Sequence, residues 1–277
     1  MSGLGEEAVR RIADGVHLVE SGKADGPLLL CLHGIGSSSR SFEQLAEDLG
    51  PDVRVVRWDA PGYARSADAE SAPGIDGYAD VAAELVRRLT AGREESAAHV
   101  LGVSWGGVIA LKLAARHPEL VASLTVADSS LGSGTDPAKA EAMRGRAGLL
   151  AEQGPEEFAR ARGPRLVSAE APAELVERVT RTMAESIRLP GYAHSSAAMA
   201  EADLTGDLAR IHAPALVICG DQDQVTGLDE AQRIAGGLRR VASVVVAGAG
   251  HLANQERPDA FHAWVRAHLH VVAGVPI

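Results

Sequence analysis

The sequence predicts an α/β fold with a mostly parallel central sheet flanked by helices. Short apolar runs alternate with helical stretches along most of the chain, as strand–helix–strand units require. Those runs are almost continuously apolar, not alternating, which is the pattern of strands covered on both faces. One interval, from about residue 132 to 206, holds no strand pattern at all and reads as an inserted helical unit.

Taken in order, residues 8–20 read as an antiparallel edge hairpin ahead of the first central strand. Strands are predicted over 27–32, 53–58, 98–103, 120–127, 215–219 and 243–246. Helices are predicted between them over 41–49, 78–89, 106–116, 229–236 and 258–269. In the strand-free interval, alanine-rich charged helices are punctuated by Gly154-Pro155, Gly163-Pro164 and Pro190-Gly191. Leu175, Val176, Val179, Met183 and Ile187 recur there at helical spacing. The expected organisation is a core of residues 1–131 and 207–277, with a helical cap of residues 132–206 between two of its strands. A cap so placed covers the carboxyl ends of the strands, where open α/β sheets bind ligands.

At 277 residues, with 46% hydrophobic and 23% charged residues, the chain has the composition of an ordinary globular protein. Its net charge of −10 opposes binding to nucleic acid or anionic membrane, because both need a basic face. No apolar run reaches the roughly 18 residues of a membrane-spanning helix. Cys31 and Cys219 each fall inside an apolar strand, so reduced, buried thiols are expected and a disulfide is not. Residues 1–7 carry no basic start and no apolar run, which with the reduced thiols makes the cytoplasm the expected location.

The chemistry centres on Gly102-Val103-Ser104-Trp105-Gly106, between a strand and a helix. A serine in that sharp turn is a candidate nucleophile, and the glycines leave the strained backbone the room it needs. A serine hydroxyl at neutral pH needs a base, an orienting acid and an oxyanion hole. His251 is the candidate base: it follows a strand and the small-residue turn Ala247-Gly248-Ala249-Gly250. The acid is sought after the preceding strand, in Gly220-Asp221-Gln222-Asp223, where Asp223 is preferred; Asp221 and Asp128 are the alternatives. Two backbone N–H groups complete the set, from Trp105 after the serine and from Ile35 in the loop His33-Gly34-Ile35-Gly36. His33 and Gly34 of that loop are candidates for lining the substrate site, with the backbone mattering more than the ring. The same loop has part of a dinucleotide fingerprint, but Ser39 stands where a third glycine belongs. Lysine and Ser/Thr are missing from the elbow, so it is not a phosphate-binding P-loop. No histidine or cysteine spacing points to a metal site.

With serine, aspartate and histidine in that chain order, the sequence resembles the α/β-hydrolase superfamily. The matching segments are Leu32-His33-Gly34, Asp59-Ala60-Pro61-Gly62-Tyr63, the serine elbow, Pro214-Ala215-Leu216-Val217-Ile218 with residues 220–223, and Gly250-His251 leading to Glu256-Arg257-Pro258. One departure is Ala64, where the Asp-x-Pro-Gly-x-Gly loop of the superfamily has its second glycine. Within the superfamily the chain is most similar to the 3-oxoadipate enol-lactonase group of small esterases and lactonases. Leu189-Pro190-Gly191-Tyr192-Ala193-His194 through Ala202-Asp203-Leu204 resembles the end of their lid. The resemblance implies cofactor-free, two-step acyl transfer on a small ester or lactone. An anionic lactone would call for a cation, with Arg162, Arg165 and Arg188 as candidates. Carbon–carbon bond hydrolases and cofactor-free haloperoxidases share the triad, and a non-catalytic receptor with the same cavity is the alternative of another class.

Overall fold

A computed structural model describes residues 4–276. Residues 1–3, part of the opening segment read above for a targeting signal, lie outside the described residues. The chain opens with helix α1 (Glu6–Asp14) and strands β1 (Leu18–Ser21) and β2 (Leu28–Leu32). Then follow α2 (Glu43–Leu49), β3 (Arg54–Trp58), α3 (Gly74–Leu89), β4 (Ala98–Val103), α4 (Trp105–Arg116) and β5 (Val121–Ala127). Helices α5 (Pro137–Arg162), α6 (Ala173–Ser186) and α7 (Gly191–Glu201) precede β6 (Ala215–Gly220). The chain ends with α8 (Gly227–Gly237), β7 (Val241–Val246), α9 (Ala253–Glu256) and α10 (Pro258–Ala273).

The seven strands form one sheet in the order β1-β3-β2-β4-β5-β6-β7. Only the β1–β3 pair is antiparallel; every other pair is parallel. The two-residue period of a strand sends alternate side chains to opposite faces. In β2, Leu28, Leu30 and Leu32 join the core beneath α3 and α4, while Leu29 and Cys31 join the core beneath α2 and α10. This is why the central strands read as unbroken apolar runs. Both cysteines are free and buried.

Two expectations change. Residues 6–14 form a helix instead of the first arm of a hairpin: Val9 and Ala13, four apart, are buried, with Glu6 and Glu7 at the amino end. The antiparallel edge strand itself is present as β1. Strand β7 is not covered on both faces, because it is the other sheet edge; Val241 and Val245 are exposed. Among the described residues, no helix is long and apolar enough to cross a membrane.

Between β5 and β6 the chain is helical. Helix α5 is broken at Gly154 (φ 74°, ψ 166°) ahead of Pro155, the first of the Gly-Pro punctuations read from sequence. Leu175, Val179 and Met183 of α6 and the following Ile187 are buried as their spacing predicts. A Cβ placed on Gly36 would stand 3.1 Å from the Met183 Cε, so α6 packs directly on the loop after β2. The loop after β3 shows the cost of its sequence departure: Ala64 takes φ 41°, a left-handed conformation that glycine adopts freely.

Candidate active site

Ser104 stands between β4 and α4 with φ 55° and ψ −118°. Such strain is held only where the surroundings over-determine it, and here the surroundings are backbone. A Cβ on Gly102 would meet the Gly106 carbonyl oxygen at 2.2 Å, and one on Gly106 would meet the Leu32 oxygen at 2.0 Å. Gly106→Ala is therefore expected to lower the free energy of unfolding by about 3 kcal/mol or more, measured by urea denaturation. Gly145→Ala is the control: its Cβ meets nothing within 4 Å and it lies inside α5, so a gain of about 0.5–1 kcal/mol is expected.

The carboxyl ends of β4, β6 and β7 bring three of the sequence-predicted residues together. The Ser104 Oγ lies 2.9 Å from the His251 Nε2. The His251 Nδ1 lies 3.1 and 3.0 Å from the two carboxylate oxygens of Asp223. With Nδ1–H donating to the carboxylate, Nε2 is left to accept from the serine. Asp223 also accepts from the Val225 amide at 2.7 Å, the Thr226 amide at 3.2 Å and the Thr226 hydroxyl at 2.6 Å. Burial alone would raise its pKa, but the hydrogen bond and charge of His251 and the Thr226 and Val225 donors hold it well below the usual carboxylate range.

The two alternative acids are engaged elsewhere. The Asp221 carboxylate accepts from the Gly248 amide at 2.7 Å, at the surface. Asp128, fully buried, accepts from the amides of Gly220 at 2.9 Å and Ala253 at 3.0 Å, tying the end of β5 to β6 and α9. Burial pushes its pKa up to about 7, against the pull of His251 and the Gly220 amide. A raised carboxyl pKa means the folded state holds the proton more tightly than the unfolded chain. Its contribution to stability is thus full below about pH 4 and lost as the pH rises to about 7. The unfolding free energy of the native chain minus that of Asp128→Asn should fall across this window, with a limiting slope of about 1.4 kcal/mol per pH unit. Denaturation series at several pH values would read it.

Asp128, Cys219 and Asp223 offer ligand atoms within 4.8 Å of one another. Their chemistry does not suit a cation: both carboxylates are filled by N–H and O–H donors, and burial pushes the Cys219 thiol up to about 12.

Ser104, His251, Ile35, Trp105 and Gly34 all line one cavity of about 230 Å³. Among the described residues, the amides of Ile35 and Trp105 donate to no group of the chain, and the Trp105 amide opens α4, where the helix dipole favours negative charge. The Trp105 ring is fixed by Tyr78, edge-on at 4.8 Å, and by Tyr63 at 5.6 Å. His33 corrects one expectation: it is fully buried and does not line the cavity. Its Nδ1–H donates to the Gly34 carbonyl at 2.8 Å and its Nε2 accepts from the Ala60 amide at 2.9 Å, so it fixes the loop's shape instead of contacting a ligand. Burial pushes its pKa down to about 4, in keeping with the neutral ring those bonds require.

The three candidate arginines separate. Arg162 lines the cavity, with its guanidinium 5.5 Å from the centre of the Phe158 ring. Arg165, in the short turn after α5, is exposed and does not line the cavity. Arg188 is off it too, held by the carbonyls of Ala64 and Ser66 and paired with Asp68 at 3.1 Å. Sequence reasoning missed Lys139 and Arg146, also from α5, which join Arg162 in the lining. Burial and then the repulsion of Arg146 push the Arg162 guanidinium below its ordinary value. Glu230 is the acid among the lining residues, and it is already paired with Arg233 at 2.7 Å. The remaining wall is apolar, with Met143, Leu166, Val179, Met183 and Met199. Glu256 was legible only as part of a motif. It accepts from the Gly250 amide at 2.8 Å and from the Ser168 amide and hydroxyl, joining the histidine loop to the segment before α6.

Residues 29–264 match the model of the alpha/beta hydrolase family. The chain is 29% identical to 3-oxoadipate enol-lactonase 2 of Acinetobacter baylyi, over 89% of this chain and 90% of that one. It is 31% identical to RutD of Variovorax paradoxus, a carbamate hydrolase by name, over 85% of this chain and 89% of that one. The structure is similar to the enol-lactonase from Burkholderia xenovorans, with a TM-score of 0.79 and 25% identity over 92% of this chain and 96% of that one. A sheet of this order, a serine elbow at its centre and a family match along most of its length lead to one conclusion: the chain belongs to the alpha/beta hydrolase family and is a hydrolase.

Proposed function

We propose that this hydrolase cleaves a small, carboxylate-bearing ester or lactone through an acyl-enzyme on Ser104. The observation that carries the reading is the hydrogen-bonded line Ser104–His251–Asp223, which opens onto a cavity holding two free backbone amides and a cationic wall. His251 Nε2 takes the Ser104 proton as the Oγ attacks the carbonyl carbon, and ionised Asp223 stabilises the imidazolium that forms. The amides of Ile35 and Trp105 receive the oxyanion, at a point where the α4 dipole adds to their effect. The tetrahedral intermediate collapses, and His251 gives its proton to the departing alkoxide or enolate. A water then yields a proton to His251 and attacks the acyl carbon, releasing the carboxylic acid and restoring Ser104.

Residues 132–206 act as the cap in this reading. They supply Lys139, Arg146 and Arg162 to the cavity lining, together with Met143, Met183 and Met199. A guanidinium pair next to an apolar wall fits a short acyl chain ending in a carboxylate.

The test is hydrolysis of a panel containing a neutral aryl ester, a saturated lactone, an enol-lactone bearing a carboxylate, a carbamate and a vinylogous diketone. The anionic enol-lactone is expected to have the highest kcat/KM, and turnover of the diketone alone would replace this reading with carbon–carbon bond hydrolysis. Arg162→Met is expected to raise KM for the anionic lactone by about tenfold or more while changing the neutral ester by less than about threefold. Equal effects on both substrates would mean that Arg162 shapes the cavity without reading charge.

A further inference from the structure

Strand β7 closes the sheet at one edge and β1 at the other. An open edge is a row of unpaired amides and carbonyls, which native proteins blunt with charge, proline or shortness. Strand β1 follows that rule: it has four residues, and its Glu20 pairs with Arg54 at 2.9 Å. Strand β7 does not. Val241-Ala242-Ser243-Val244-Val245-Val246 has no charge and no proline, and all of it is exposed except half-buried Val244 and buried Val246. The edge is apolar on both faces of the sheet. Val241 and Val245, the latter 54% exposed, lie on one face, and Ala242, Val244 and Val246 lie on the face that α10 covers. Trp264 widens that second face. His262 and Arg266 of α10 reach Asp48 of α2, so Trp264, about 200° around the helix, lies on the side toward β7 and is 47% exposed.

The backbone fixes what can cover such an edge. The carbonyls of Arg240 and Val246 accept from the Ala215 and Asp221 amides at 2.8 and 3.1 Å, so the even-numbered residues turn their backbone toward β6. Val241, Ser243 and Val245 therefore turn theirs outward. A second copy of β7, antiparallel and centred on Ser243, matches all of them: Ser243 faces Ser243, and Val241 faces Val245 on either side. That register makes about six inter-strand hydrogen bonds and keeps facing side chains on the same side of the sheet. It also sets Arg239 across from Ala247, next to Gly248. Within one chain the Asp221 carboxylate serves only the Gly248 amide, at 2.7 Å, while neighbouring Arg257 donates to the Gly248 carbonyl. Among the described residues, Arg239 and Arg240 have no acid within ion-pairing distance, and Asp221 has no cation. The two-fold arrangement thus brings unpaired arginines at one end of β7 to an unpaired carboxylate at the other, and does so reciprocally.

We propose that this edge is an interface between two copies of the chain, joined into one continuous sheet through β7 with Arg239 of each copy beside Asp221 of the other. The proposal does not depend on the reaction catalysed, and its test reads association instead of turnover. Sedimentation velocity from about 1 to 200 μM should show the mass rise from one chain to two and stop there, because a two-fold contact closes on itself. Ser243→Pro loses only an outward-facing amide, so it should fold and stay single over the same range. If it does not fold, Val245→Lys, at an exposed side chain of the same edge, replaces it. Arg239→Glu sets like charges face to face and should weaken the dimer by about tenfold or more. Ser243→Cys meets its own copy with Cα atoms about 5.5 Å apart, so a short bismaleimide should join two chains. Cys31 and Cys219 are buried and do not compete. Ser71→Cys, exposed on the loop before α3, should stay unjoined. A chain that stays single at every concentration, a mass that climbs past two copies, or a dimer that persists in Ser243→Pro or its replacement overturns the proposal. So does an unchanged Kd in Arg239→Glu, or equal joining of the two cysteine variants.

Discussion

Ser104→Ala is expected to lower kcat on an aryl ester by about 10⁵-fold, with unfolding free energy changed by no more than about 1 kcal/mol. The hydroxyl makes the 2.9 Å contact with the His251 Nε2 and lines the cavity. The backbone at residue 104 is held at φ 55° by the packing of Gly102 and Gly106, and that packing does not involve the side chain. The variant should therefore keep the elbow and both amides. Residual catalysis above the uncatalysed rate is expected from the oxyanion site alone. Steady-state kinetics on the purified variant, with circular dichroism as a check on folding, would measure both quantities.

Asp223→Asn is expected to cost about 10⁴-fold in kcat, through the tautomer of His251. The amides of Val225 and Thr226 point at one carboxylate oxygen, so an asparagine here turns its carbonyl toward them. Its NH2 then faces the Thr226 hydroxyl and the His251 Nδ1. An imidazole that accepts at Nδ1 carries its proton on Nε2 and cannot take one from Ser104. Asp221→Asn is the matched control and should stay within about threefold of the native kcat, because that carboxylate serves only the Gly248 turn at the surface. A large loss in Asp221→Asn with little in Asp223→Asn would reverse the assignment of the acid.

The core was legible in the sequence because burial on both faces leaves a plain signal. The runs that form β2 and β6 carry no polar side chain, and the run that forms β4 carries only His99. The elbow was legible for a steric reason: two glycines flank a serine where any Cβ would strike backbone. Helix α1 was hidden because it is short and its buried stripe is only Val9 and Ala13, so the following extended segment coloured the reading of the whole stretch. The cationic wall was hidden for a different reason. Lys139 and Arg146 lie on a helix rich in charge, where a solvated face and a ligand-facing one have the same composition, and only the docking of α5 separates them. Arg188 shows the converse: a candidate by type, it is spent on the carbonyls of the Ala64 loop.

The central claim is that Ser104 carries the acyl group, and intact-mass spectrometry of the enzyme quenched during turnover of a slow aryl ester tests it most directly. One added acyl mass on the native chain, mapped to the peptide containing Ser104 and missing from Ser104→Ala and His251→Gln, is the expected result. Turnover with no adduct at any quench time, together with an unlabelled Ser104 after exposure to a phosphonate, would contradict it.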